Sequence, residues 1–456
     1  MRDAAPTRAW RARASCAAAC LLGAVAGSTI AQPIFAAPPA APPTAAAAAG
    51  EAAAVRTEVV PARRVLIDNE GRRRIVDIQG LRDGSLQTRD ASGRPRNFAL
   101  SSIVAILPTP DDVAQPEVLW ADLLNGDGQH DGTLWLTDGQ AVPGHPDVRA
   151  GSEEKIEWIG SAGPLRGVRF SLPLERVAAV RLDTSSGNVR ATELKKPRES
   201  IVGPPPSKDT VTFINADRAE GFVTRIGEVV SIEVNGKTSD YPATRVESVR
   251  LANPRGTLSG ACVWLSNTAA IALGSPLATE EGQLSAPIRD ASGTPTVTVN
   301  WNDIRGLTPD ASRITPLAAL KFRVTPDPTR RWSDPPRVAD VSEAALGAAD
   351  IELPGPMSVE WPLTRAASRF SARIELPESC RRWGDADVVI EVAREGAPSR
   401  EVSRERINGD RPTLDVNVEL NAPAGATLRV RLEPGANGPV QDRVLLKQAV
   451  LLHETK

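Results

Sequence analysis

The chain is poor in the side chains that most often carry chemistry: three histidines, four cysteines and one tyrosine in 456 residues. His130, His145 and His453 are scattered, with no repeated ligand spacing. His130 beside Asp131 lies in the Gly-rich run NGDGQHDG, which reads as a solvated turn rather than a base and its orienter. The Asn125-Gly-Asp127-Gly stretch in that run fails as a calcium loop, because the template's two charged ends fall on Leu123 and Leu134. No Gly-x-Ser-x-Gly elbow, phosphate-binding Gly-Lys-Ser/Thr loop or His-Glu-x-x-His helix is present. The reading is therefore non-enzymatic, with no cofactor and no metal site. Carboxylate pairs of the glycosidase kind are spatial, and 56 acidic residues leave that class open as a third alternative.

Charge of one sign is also missing. The formal net charge is −2, and it becomes −5 once the first 36 residues, with four Arg and one Asp, are set aside. A mildly acidic chain has no electrostatic reason to bind nucleic acid. Arg72-Arg73-Arg74, with Arg63 and Arg64 upstream, is a local exception that reads as a solvated strand edge. What the chain has in quantity is turn formers, 35 Gly and 39 Pro, and these favour short strands over long helices.

The N-terminus reads as an export signal. Arg2, Arg8, Arg11 and Arg13 precede the apolar run Ala17 to Ala26, and small residues allow cleavage after Ala31 or Ala36. The run is shorter than the roughly 20 residues that span a bilayer, and no later stretch reads as a membrane helix. A cytoplasmic protein with an Arg/Ala-rich tail is the alternative. Residues 37–60 form a Pro/Ala linker. Cys16 and Cys20 leave with the signal. Cys262 and Cys380 remain, read as buried thiols with a disulfide between them as the alternative.

Four copies of one pattern organise the next 250 residues or so. They run from Val65 to Leu107, Leu134 to Leu182, Val211 to Leu251 and Cys262 to Leu307. Each opens with alternating apolar residues and a polar turn. Each closes with an apolar i,i+3 pair: Ile103/Ile106, Val177/Val180, Val246/Val249 and Ile304/Leu307. Asn235-Gly236 in the third copy is a two-residue hairpin signal. The closing pair suits one helical turn that plugs a small barrel. The copies are read as SH3-like or Sm-like barrels, two in 61–183 and two in 209–310. The Pro-rich break 184–208 divides them two and two. A propeller is the alternative, but spacing between copies falls from 74 to 69 to 58 residues and no blade signature recurs.

Residues 314–456 alternate as strands at Phe370-x-x-x-Ile374, Val388 to Val392, Leu414 to Val418 and Leu428 to Leu432. This order resembles the NPCBM family, β-sandwich modules named for carbohydrate binding. Phe370, Gly396, Asp442, Val450 and Leu451 match its pattern, and Thr325-Pro326 with Trp332 is similar to the extension that often precedes it. The family's Gly-rich segment with a His and Ser is represented by Leu353 to Trp361, which has no His. The resemblance implies a jelly-roll-like sandwich that binds sugar.

Sugars stack on exposed flat rings while polar groups hold their hydroxyls. Trp332, Trp361 and Trp383 are the candidate rings, with Arg381, Arg382 and Asp385 around Trp383. The whole reads as an exported, all-β, envelope-associated protein whose partners are polysaccharides or envelope proteins. A purely structural envelope scaffold is the competing class. Intact-mass measurement of the protein from envelope fractions should show the first 31 or 36 residues missing. Recovery of Arg2 to Arg13 in that material would refute export by this signal.

Overall fold

The computed structural model describes residues 62–454, with breaks at 110–131, 148–152, 162, 183–204, 257, 266–268, 276, 281–282, 327–333 and 340–343. The export signal, the 37–60 linker, most of the 184–208 break, the NGDGQHDG loop and Trp332 lie outside the described residues. The described residues form strands and short 3-10 turns, with no α-helix, as the turn-rich composition implied.

Each copy is a five-stranded meander whose last strand returns beside its first. In the first copy the strands are Ala62–Asp68, Arg73–Arg82, Ser85–Asp90, Pro95–Ala99 and Ile103–Pro108. In the second they are Gly132–Leu136, Ala141–Pro146, Lys155–Gly160, Arg169–Pro173 and Val177–Arg181. The third has Asp209–Phe213, Arg218–Ile226, Val229–Val234, Lys237–Pro242 and Val246–Arg250. In the fourth, Cys262–Leu265, Ala270–Ala272, Gln283–Pro287, Thr296–Asn300 and Ile304–Thr308 follow the same wiring around an extra strand, Ala278–Glu280. Asn235 (φ 53°) and Gly236 (φ 79°) make the expected tight hairpin between the third and fourth strands of the third copy. Among the described residues each fourth strand pairs only with its third, so every curled sheet is open on that side.

The closing i,i+3 pair is not a helical turn. The helical residues lie just before it, at Leu100–Ser102, Leu174–Arg176, Ala243–Arg245 and Trp301–Asp303. The pair itself begins the fifth strand, and each fifth strand carries a β-bulge at the same place. Pairing with the first strand jumps from Ile103 to Ala105, Val177 to Ala179, Val246 to Ser248 and Ile304 to Gly306. One extra residue turns the two-residue alternation of a strand into a three-residue step, so both apolar residues face the core. All eight are buried.

The copies join through equivalent residues. The fifth strands of copies two and three run antiparallel with Val180 opposite Val249, and those of copies one and four meet at Ile106 and Leu307. Each of these is the second apolar residue of its closing pair, so both contacts are isologous. Copies two and four meet through their second strands at Ala141 and Ala270. The order in space is thus one, four, two, three, and one apolar cluster runs through all four. Copies two and three, on either side of 184–208, are paired directly. Among the described residues copies one and three do not pair with each other, so the row does not close as a propeller would.

Side chains explain which neighbours meet. Strand register makes Arg73, Ala141, Arg218 and Ala270 equivalent, each opposite the same position of its first strand. The two alanines leave room for a neighbouring strand, whereas the two arginines mark the ends of the row. Gln140, fully buried, pins the central contact. Its amide donates to Asp290 at 2.5 Å and Asp138 at 2.9 Å, and its carbonyl accepts from the Ala272 amide at 2.8 Å.

Residues 314–454 form the expected sandwich. One sheet orders Arg337–Val338, Ile351–Pro354, Arg443–Leu452, Ala367–Glu375 and Thr413–Ala422. The other orders Arg323–Pro326, Met357–Pro362, Thr427–Pro434, Asp385–Arg394 and Ala397–Asn408. Phe370, Val450 and Leu451 are buried, and Gly396 (φ 71°) turns the Asp385–Arg394 hairpin. A separate cluster of Val65, Ile67, Val104, Leu107, Ile314, Leu346, Val450 and Leu452 fastens the sandwich to copy one. Gly71 (φ 74°) lets the first hairpin approach closely: Asn417 donates to the Glu70 carbonyl at 2.7 Å and Ser371 to the Gly71 carbonyl at 3.1 Å.

Arg73 departs from the solvated-edge reading that Arg72 and Arg74 fulfil. Its side chain is only 5% exposed, donates to the Gln448 side chain and stands 3.9 Å from Asp415. Burial pulls its guanidinium down to about 10. Gln140→Ala should destabilise the row by about 2–4 kcal/mol, because several buried groups lose their partners together. Urea denaturation would show it as a lower midpoint, and an unchanged midpoint would mean that the central contact does not depend on Gln140.

Candidate functional site

Trp383 lies between the 3-10 turn Glu378–Cys380 and the strand that starts at Asp385. The tight reversal needs Gly384, whose added Cβ would stand 2.8 Å from both the Cys380 and Gln441 carbonyls. With its backbone held in this way the indole projects outward and is 50% exposed. The Arg382 guanidinium sits 5.3 Å from the ring centroid, a cation–π contact that orients the ring. Arg381 is exposed too, 3.9 Å from Glu375.

Asp385 is not a surface hydrogen-bonding group. It is 3% exposed and takes a two-pronged contact from Arg406, Nε at 2.7 Å and an NH₂ group at 2.5 Å. It also accepts from the Ala436 amide at 2.7 Å, while its own amide donates to Asp442 at 3.2 Å. Asn437 completes the connection by donating to the Trp383 carbonyl at 3.2 Å. Asp385 therefore anchors the loop at Gly435 to Asn437 beside Trp383, and the Arg406 contact holds its carboxyl below the usual range. Arg406, Asn437 and Asp442 were not found as a group by sequence reasoning, since 21 to 57 residues separate them from Asp385 or Trp383.

Trp361 belongs to the core. It is fully buried in the inward alternation Met357, Val359, Trp361 and lies 6.0 Å from the Phe322 ring, so no ligand stacks on it. The structure brings Arg381, Arg382, Trp383 and Asp385 together and leaves Trp361 apart.

No family profile matches this chain, and no curated protein matches it. The solved structures similar to it include the CBM51-2 and INT domains of Clostridium perfringens ZmpB, at 11% identity and TM-score 0.25 over 41% of this chain and 44% of that one. A second is the CBM51 of a Clostridium perfringens GH95 protein in complex with methyl-galactose, at 12% identity and TM-score 0.22, over 30% of this chain and 99% of that one. A third is the CBM22-1 xylan-binding domain of Paenibacillus barcinonensis Xyn10C, at 14% identity and TM-score 0.19, over 32% and 88%. The chain thus bears a distant structural similarity to carbohydrate-binding modules, and it spans less than half of the ZmpB structure.

The remaining reactive groups are quiet. Cys262 and Cys380 are free, buried thiols, and burial raises Cys262 far above the range in which a thiolate forms. His453 is buried between the Thr315 hydroxyl at 2.7 Å and the Ala366 carbonyl at 2.6 Å, and burial lowers its pKa. Among the described residues no cluster of His, Cys, Asp and Glu could hold a metal, and no helix is long and apolar enough to cross a membrane.

The lowered carboxyl gives a pH dependence with a fixed sign. Asp385 stabilises the fold fully above its unfolded value of about 3.9, and this contribution fades as pH falls through its lower folded value. Asp385→Asn should be less stable than the parent at pH 7, with the difference shrinking below about pH 4. Urea midpoints at pH 7 and pH 3 check this; a constant difference would show that the charge of Asp385 is not what holds the loop.

Proposed function

We propose that the chain is an exported, non-catalytic binding protein of the cell envelope, and that its sandwich end engages polysaccharide through Trp383. The observation that carries the reading is the half-exposed indole on a locked loop, oriented by Arg382 and flanked by Arg381. An open indole offers a flat apolar surface to the CH face of a sugar ring, and the arginines offer donors to its hydroxyls. In the same proposal each five-stranded copy is an SH3-like or Sm-like small barrel, and the row serves as a rigid carrier.

Strand edges weigh against the scaffold alternative. Ala397–Asn408 is the long outer edge of its sheet and carries Arg400, Glu401, Arg404, Glu405 and Arg406. Charges along an edge oppose strand-to-strand assembly. Arg404 is further tied to Glu401 at 3.0 Å and Glu433 at 2.5 Å, which keeps that edge occupied within the module.

Stacking on one indole contributes about 0.5–1.5 kcal/mol beyond area burial, so single sugars should bind poorly and polymers better. The test is affinity electrophoresis of the full chain through gels that contain envelope or plant polysaccharides. Trp383→Ala should weaken retardation about two- to tenfold while the fold is kept. Absence of retardation in every gel would remove the sugar-binding reading, and undiminished retardation of the variant would move the site elsewhere.

A further inference from the structure

The four copies share wiring but differ at the open mouth of the curled sheet, between the second and fourth strands. Strand register makes Arg74, Val142, Ala219 and Ile271 equivalent, and likewise Arg96, Phe170, Ser239 and Val297. Asp90 corresponds to Gly160 and Ile288. In the two inner copies of the row these positions are filled and sealed: Val142, Phe170, Ile271, Ile288 and Val297 are buried, and Trp158 and Leu165 help close copy two. In copy three the equivalent positions hold the uncharged, half-buried Ala219 and Ser239. Copy one alone carries charge there. Apolar filling is what the wiring favours for stability, so two arginines and an aspartate at one mouth mark a function.

That mouth is a concavity of about 370 Å³ lined by Arg74, Ile75, Val76, Asp90, Arg96, Asn97 and Phe98. The size suits a small ligand or one or two units of a polymer. Phe98 packs on the core as an apolar floor, and Ile75 is 41% exposed. Asp90 is fixed by its own turn: one carboxylate oxygen accepts from the Ser92 amide and hydroxyl and the Arg94 amide, at 3.0, 2.6 and 3.0 Å. Its other oxygen meets Arg96 Nε at 3.4 Å. Arg74 stands 3.5 Å from Asp68. Both pairs are long and both guanidiniums are exposed; Arg74 meets Asp68 through one NH₂ group and Arg96 meets Asp90 through Nε, so each keeps N–H groups turned to solvent. Residues 62–109 carry nine Arg in all, these two included, and no Lys against five Asp or Glu. Arginine's planar fork is the side chain suited to two-pronged capture of a carboxylate.

We infer that the mouth of copy one is a second binding site, which takes the carboxylated sugar units of an acidic polysaccharide. The ring lies over Phe98, and Arg74 and Arg96 hold the carboxylate with Asp90 keeping Arg96 in place. The inference does not rest on Trp383, which belongs to the sandwich.

The experiment measures binding of the full chain to polygalacturonate and to the same polymer with its carboxyls reduced to alcohols. Polygalacturonate should bind, the reduced polymer at least tenfold more weakly, and added salt should weaken the first selectively. Arg74→Gln with Arg96→Gln should lower polygalacturonate affinity about tenfold or more. These exposed substitutions are expected to keep the urea midpoint. No binding of polygalacturonate, equal binding of the reduced polymer, or full affinity in the double variant with an unchanged midpoint would overturn the inference. Displacement by polyglutamate at equal carboxylate concentration would overturn the sugar assignment in favour of an acidic peptide.

Discussion

One extra residue in a strand sets the form of the repeat region. The bulge in each fifth strand lets two residues three apart face the same core, after a 3-10 turn has carried the chain across the end of the sheet. The fifth strand then has two usable edges. One closes the copy against its own first strand, and the other meets the fifth strand of a different copy. Edges that would otherwise be open to other chains are thereby consumed inside the molecule. Because equivalent residues face each other, one solution to the edge problem serves twice.

The row also explains why nearly identical wiring carries such different side chains. Inner copies are enclosed by neighbours, so alanine at the second-strand contact and apolar residues at the mouth are the stable choice. Among the described residues each end copy pairs with a single other copy. There Arg73 turns into the sandwich and binds Gln448, while the mouth of copy one stays open and charged. Position in the row, rather than the repeat pattern itself, separates residues that hold the fold from residues available to a ligand.

Much of this was legible in the chain. Alternation, the Asn235-Gly236 turn and the closing pairs located the copies, and the strands of the sandwich followed from period two. The bulge was not legible, because an apolar i,i+3 pair fits a helical turn and a bulged strand equally well, and only pairing decides. The order one, four, two, three was hidden for the same reason: it depends on contacts between distant residues. Trp361 could have been assigned to the core, since Met357, Val359 and Trp361 alternate on one face. Trp383, between arginine and glycine, carried no such alternation and is the exposed one. The supports of Trp383 come from three chain segments, which no local motif could join.

A carrier of this kind works only if the copies and the sandwich form one rigid body, so that sites on separate modules keep a fixed relation along a polymer. Native-state hydrogen exchange of the fifth-strand amides Val177–Arg181 and Val246–Arg250 tests this most directly. If the seam is continuous, both strands should exchange with the same free energy and respond alike to urea, as parts of one cooperative unit. Exchange of Val246–Arg250 at a markedly lower free energy than Val177–Arg181 would show that copy three opens by itself, and would contradict the account.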